Sequence, residues 1–164
     1  MQETGKLYAF EITLHRLARG AEEEPRPTEV HVDASGSWPT LAVDRAVLNS
    51  PMAVGFDEAL ARLGRLERTY AEPDGSFVQA SPTGGEAWQV DGNAAEMNGR
   101  ILSVDLKGQC PPAAFDRLLE CFGWPEEPLM VQLVRAGVFL DEETFRRHAL
   151  ARGTAGAVRI VRPE

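Results

Sequence analysis

The chain has 164 residues and a formal net charge of -8, with 25 acidic residues against 17 basic ones. This length fits a single globular domain over residues 1–164, because two cores of half the size would each be hard to stabilise. The acidic excess, with no basic patch, argues against nucleic acid as a partner, since such binding depends on neutralising phosphates. No apolar run approaches the roughly 18 residues needed to cross a bilayer. We therefore expect a protein that binds neither nucleic acid nor membranes.

Two further features indicate a cytoplasmic protein. The N-terminus lacks the basic start and apolar middle of a signal peptide. The two cysteines, Cys110 and Cys121, would lie about 15 Å apart if they bracket one helix. A disulfide requires Cα atoms within about 7 Å, so we expect two free thiols, as in a reducing compartment.

The first predicted element is a strand from Leu7 to Leu17. Apolar and mostly polar residues alternate along it, which is the period of a half-buried strand. The apolar positions are Tyr8, Phe10, Ile12 and Leu14.

A polar stretch over 19–27 predicts an exposed loop, and a second strand is predicted over 28–34, with Val30 and Val32 on one face. The segment after it is ambiguous and could hold a short strand around 41–43.

A first helix is predicted from Ser50, followed by a proline that suits the first turn, to about Tyr70. A later start near Phe56 is the alternative. Glu58 and Arg62 are spaced to pair on its outer face. Its predicted apolar stripe consists of Met52, Phe56, Ala59, Leu60, Leu63, Leu66 and Tyr70.

A meander of antiparallel strands is predicted over about residues 76–107, with a first strand from Ser76 to Ala80. Asp91-Gly92 and Asn98-Gly99 are both typical of two-residue hairpin turns. The two turns together predict one apolar face, whereas a single hairpin closed at Asn98-Gly99 would place Asp91 opposite Leu106 and is disfavoured. The predicted apolar face consists of Trp88, Val90, Ala95, Met97, Leu102, Val104 and Leu106.

A second helix is predicted from Pro111 to Phe122, ended by Gly123. A strand over 129–135 follows, then a third helix beginning at Asp141. The end of the chain, 157–161, is predicted as a closing strand or a loose tail. The pattern as a whole predicts an α+β domain, in which two or three helices pack on one face of an antiparallel sheet of about five or six strands.

Cys110 is the candidate reactive thiol. It ends a predicted strand directly before two prolines and a helix, and a thiol at a helix N-terminus can act as a nucleophile. No histidine lies near it in sequence, so a small residue at a strand-to-helix turn is the favoured interpretation.

His15 and His31 lie on the polar faces of predicted strands and could approach one another if those strands pair. Their spacing matches no metal-ligand motif, so exposed sheet histidines are favoured and neither a metal nor another cofactor is predicted. The acidic run 141–143 is explained by helix capping, since Asp141 can cap the third helix while its neighbours complement the helix dipole.

No convincing catalytic constellation is visible, so no catalytic residue is assigned. Trp38 lies in a turn-rich segment and is the candidate contact for a protein partner, with packing over the sheet as an equally favoured alternative. We therefore expect a non-catalytic accessory or regulatory module of bacterial type, which binds a protein with a basic surface through its own acidic surface. The alternative is a small-molecule binder or enzyme, with a pocket near Cys110 between the sheet and the second helix.

Overall fold

The computed structural model describes the backbone of residues 6–17, 26–44 and 48–161. Within these ranges the chain forms nine strands and three helices. In chain order they are β1 (Tyr8–Arg16), β2 (Arg26–Asp33), β3 (Gly36–Ala42), α1 (Phe56–Gly64), β4 (Thr69–Ala71), β5 (Ser76–Ala80), β6 (Gln89–Met97), β7 (Arg100–Cys110), α2 (Pro112–Cys121), β8 (Leu129–Leu133), β9 (Phe139–Asp141) and α3 (Glu142–Val161).

The nine strands form one antiparallel sheet in the order β2-β3-β9-β8-β1-β7-β6-β5-β4. β1 lies at its centre, where Ile12 is paired with Leu106 of β7 on one side and with Leu133 of β8 on the other. The predicted α+β fold with an antiparallel meander is confirmed.

The three helices contribute to one hydrophobic core against the sheet. Tyr8, Phe10, Ile12 and Leu14 of β1 lie in this core, as the alternation predicted. The helices add Phe56 and Leu63 from α1, Phe115 and Leu118 from α2, and Phe145 and Ala149 from α3.

Arg146 ties α3 to α2. Its guanidinium pairs with Asp116 of α2 (Nη1 to Oδ1, 2.7 Å) and with Glu142 (Nε to Oε2, 2.6 Å), and it lies 5.3 Å from the ring centre of Phe115. The start of α3 is capped as predicted, because the Thr144 N–H donates to the Asp141 carboxylate at 2.7 Å.

The first helix is shorter than the principal prediction. It begins at the alternative start, Phe56, and ends at Gly64. The preceding residues do not form helical turns, because the Met52 and Phe56 N–H groups donate to carbonyls of residues 101 and 99 beside the β6–β7 turn. Tyr70 belongs to β4 and is exposed rather than part of an apolar stripe. The Glu58–Arg62 pair is confirmed, with Arg62 Nε 2.9 Å from Glu58 Oε2.

The predicted turn at Asp91-Gly92 is wrong. Both residues lie inside β6, and the hairpin closes at the other predicted turn, Asn98-Gly99. An irregularity between Ala95 and Glu96 shifts the register, so that Gly92 instead of Asp91 faces Leu106. Because of this β-bulge, a single hairpin closed at Asn98-Gly99 no longer places Asp91 opposite Leu106. The bulge also changes the buried face, since Ala94 and Ile101 are buried while Met97 is exposed.

The C-terminal prediction is also wrong, because residues 157–161 continue α3 instead of forming a strand or a tail. The second helix and the strand over 76–80 are confirmed. The predicted loop over 19–27 lies mostly outside the described residues. Among the helices that are described, none combines the length and hydrophobicity that crossing a bilayer requires.

Gly92 is required by close packing. A Cβ added there would overlap the ring of Phe77, which is buried in the core, whereas a Cβ at Gly64 would meet nothing within 4 Å. We expect Gly92→Ala to lower the free energy of unfolding by about 1–3 kcal/mol through overpacking. Gly64→Ala, the matched control, should raise it by about 0.4–1 kcal/mol. Urea unfolding measures both, and equal stability of the two variants would contradict the packing described here.

Candidate functional site

A cavity of about 540 Å³ opens where the β2–β3 hairpin, α3, β1 and the turn after β8 come together. Its volume is within the range of about 300–1,000 Å³ that is typical of ligand pockets. Part of its wall is apolar, contributed by Ala9, Leu133 and Val134. Charged and polar side chains from four elements complete it, so the cavity has both an apolar surface and converging polar groups.

The alternation of β1 and β7 decides which side chains reach the cavity. Tyr8 and Phe10 point into the core, so Ala9 and Glu11 point to the other face and line the cavity. On β7, Gln109 lines the cavity while the next residue, Cys110, points into the core. The cavity therefore lies on the opposite face of the central strands from Cys110.

β2 has the same alternation. His31 and Asp33 line the cavity, whereas Val30 and Val32 face solvent and are 63% and 69% exposed. The polar face of this strand is thus the one turned inward, which is the reverse of the usual arrangement.

The Asp33 carboxylate accepts four hydrogen bonds. Its Oδ1 receives the Ser35 N–H (2.8 Å) and the Trp38 indole N–H (3.2 Å). Its Oδ2 lies 3.2 Å from His31 Nε2 and 2.8 Å from His148 Nε2. Because His148 belongs to α3, this carboxylate joins the hairpin to the C-terminal helix.

The four donors keep Asp33 ionised. Burial by itself would raise the pKa of Asp33, but the hydrogen bonds from His148, Ser35 and Trp38, with the attraction of His148, hold it at about 2. An ionised carboxylate can only accept, so each histidine Nε2 carries its proton toward Asp33. The neutral form of each histidine then has its lone pair on Nδ1.

The other charged groups of the cavity are Glu11, Arg135 and Arg152. Arg135 Nε pairs with Glu11 Oε1 at 3.0 Å, and this hydrogen bond lowers the pKa of Glu11. Arg152 lies one helical turn after His148 and is half-buried. It forms no hydrogen bond or ion pair with any residue in the described part of the chain.

The structure does not place Cys110 where its thiol could act as a nucleophile. Its side chain is fully buried, and this burial raises the pKa of the thiol to about 12. The space between the sheet and α2, where sequence reasoning placed a pocket, is packed with Phe115, Leu118 and Leu119. Cys110 thus has the environment of a core residue.

Trp38 turns inward. Besides donating to Asp33, its ring packs edge-on against His148, with centroids 5.2 Å apart. These contacts support the hairpin and make Trp38 part of the wall behind the site.

His15 and His31 do not meet, because β1 and β2 are separated in the sheet by β3, β9 and β8. His15 is buried rather than exposed as expected. It pairs with Gln132 (2.9 Å), and burial lowers its pKa despite that hydrogen bond. Among the described residues, no three His, Cys, Asp or Glu side chains are arranged to hold a metal ion.

Sequence reasoning missed His148 and Arg152. The sequence pattern assigns neither of them to a site. The available signal was helical spacing, since 148 and 152 are four residues apart and lie beside the buried positions 145 and 149. That spacing places both side chains near the inward face of α3.

The charge of Asp33 gives a prediction for stability. Because its pKa falls from 3.8 to about 2 on folding, its contribution is present above about pH 4 and is lost as the pH falls toward 2. We expect Asp33→Asn to lower the free energy of unfolding at pH 7 by about 2 kcal/mol. The difference from the unmodified protein should shrink between pH 4 and pH 2. Urea unfolding across this range measures the difference, and Glu67→Gln, at an exposed position, is the control. A difference in stability that does not change with pH would contradict the proposed role of the Asp33 charge.

The buried thiols give a second prediction. Burial raises the pKa of Cys110 to about 12 and that of Cys121 to about 11. Because the thiolate is the reactive form, we expect iodoacetamide at neutral pH to leave both unmodified in the folded protein and to modify both in urea. Intact-mass measurement gives the result. Alkylation of folded Cys110 as fast as free cysteine would instead support a reactive thiol.

Comparison of the chain with protein-family models, with curated proteins and with solved structures finds no match in any of the three.

Proposed function

We propose that this protein is a non-catalytic binding module for a small molecule, which occupies the cavity between the β2–β3 hairpin and α3. The observation that carries the proposal is the Asp33 carboxylate, fixed by four donors at the wall of a cavity of about 540 Å³. Such a network holds a pocket open in one geometry, so a ligand does not have to order it on binding.

The saturation of Asp33 supports binding over catalysis. Each of its oxygens already accepts two hydrogen bonds. A carboxylate with a pKa of about 2 is also a weak base. Asp33 is therefore suited to positioning His31 and His148, whose Nδ1 atoms can accept hydrogen bonds from a ligand when the rings are neutral.

Binding of a protein with a basic surface is the second candidate. The observation that favours it is β2, an edge strand that presents Val30 and Val32 to solvent. An exposed apolar edge strand can pair with another chain. The net charge of -8 would favour a basic partner.

We also propose a cytoplasmic location, supported by two free, buried thiols.

An NMR titration of the full chain tests the principal proposal. The probes are benzamide and benzoate, which have the same size and differ in charge. We expect at least one of them to shift backbone amide signals of cavity residues such as Ala9, Ser35 and Gln109. Ala136→Trp, at an exposed cavity position, should weaken that binding at least about tenfold by filling the opening.

Ala61→Trp is the matched control, because Ala61 is exposed on α1 away from the cavity. Binding to this variant should equal binding to the unmodified protein. If neither probe shifts a cavity amide, or if Ala136→Trp binds as tightly as Ala61→Trp, the small-molecule proposal is wrong and β2 becomes the preferred site for a partner.

A further inference from the structure

The charged groups of the cavity differ in whether they already have partners. Glu11 and Arg135 neutralise one another, with Nε and Oε1 3.0 Å apart. Asp33 is saturated by its four donors. Neither of these arrangements leaves a charge that needs a ligand.

Arg152 differs from them. It lines the same cavity and is half-buried, yet its guanidinium forms no hydrogen bond or ion pair with a residue that the structure describes. Its attraction to Glu11 acts only at a distance, and the Glu11 carboxylate is already held by Arg135. A partly desolvated guanidinium without an acceptor is unfavourable, because its lost hydration is not replaced.

The chemistry of this group defines what it would hold. A guanidinium presents several N–H donors in a planar fork, which matches the paired oxygens of a carboxylate or phosphate group. Gln109 lines the same cavity, and its amide N–H groups can donate to the anion as well. The apolar wall of Ala9, Leu133 and Val134 can accommodate a carbon skeleton.

We infer that the cavity binds a small organic anion, whose carboxylate or phosphate pairs with Arg152 while its apolar body lies against Ala9, Leu133 and Val134. This inference rests on the proposed small-molecule function and specifies the charge of the ligand.

Titration of the full chain with three probes of one size class tests it. Benzoate and phenyl phosphate carry the anion, and benzamide is the neutral isostere of benzoate. We expect one of the two anions to bind at least about tenfold more tightly than benzamide, which is the usual effect of a charge-assisted hydrogen bond. Which anion binds more tightly distinguishes a carboxylate ligand from a phosphate ligand.

Arg152→Gln should remove this preference, weakening the anion about tenfold or more while changing benzamide by less than about twofold. Arg152→Lys keeps the charge but not the fork and should retain part of the preference. The control is Arg117→Gln, since Arg117 is exposed on α2 and does not line the cavity. It should change the anion preference by less than about threefold.

The outcomes separate the two proposals. If benzamide binds in the cavity as tightly as both anions, or if Arg152→Gln weakens all three probes equally, the anion inference is wrong and the small-molecule function stands. If no probe binds in the cavity, both are wrong. Loss of anion preference in Arg152→Gln alone, with an otherwise unchanged amide spectrum, supports the inference.

Discussion

The candidate site depends on a single carboxylate. Asp33 is near the N-terminal end of the chain, and His148, its partner on α3, is 115 residues away. By accepting hydrogen bonds from both ends of the chain, Asp33 holds the β2–β3 hairpin against the C-terminal helix and closes one side of the cavity. Within the sheet, β9 and β8 lie between the hairpin and the central strand β1. Without the charge at Asp33, that wall would keep the ring contact between Trp38 and His148 but lose its hydrogen bond to α3.

The position of α3 is fixed by packing of a different kind. At Gly153 the helix passes so close to the start of β1 that an added Cβ would overlap the Leu7 carbonyl. One and two turns earlier, Ala149 and Phe145 are buried in the core, and Arg146 is paired with α2. These contacts fix the distance of α3 from β1 and its rotation about its own axis. As a result, His148 and Arg152 are directed to the cavity. The placement of the polar site is therefore a consequence of how the apolar core packs.

The sequence predicts those parts of the fold that depend on local pattern. The alternation of β1, the amphipathic helix α2 and the cap at Asp141 all follow from neighbouring residues, and all are present. The register of β6 against β7 could not be predicted, because the bulge at Ala95 is determined by packing across strands and has no signature in the segment itself. The site was missed for a similar reason. His31 and Asp33 are neighbours on one face of β2, but His148 and Arg152 reach them only because of a sheet order that no local motif encodes.

In β2, burial of the two valines competes with the hydrogen bonds to Asp33, because only one face of the strand can turn inward. A shift of one residue would turn Val30 and Val32 inward and His31 and Asp33 outward. Burial of two valines would stabilise the fold by about 3–6 kcal/mol. The same shift would break the four hydrogen bonds that fix the Asp33 carboxylate, and the observed register keeps them. The polar network outweighs the lost burial, so the exposed valines follow from the construction of the cavity. Their exposure therefore does not by itself require a protein partner, and this weakens the second candidate function relative to ligand binding.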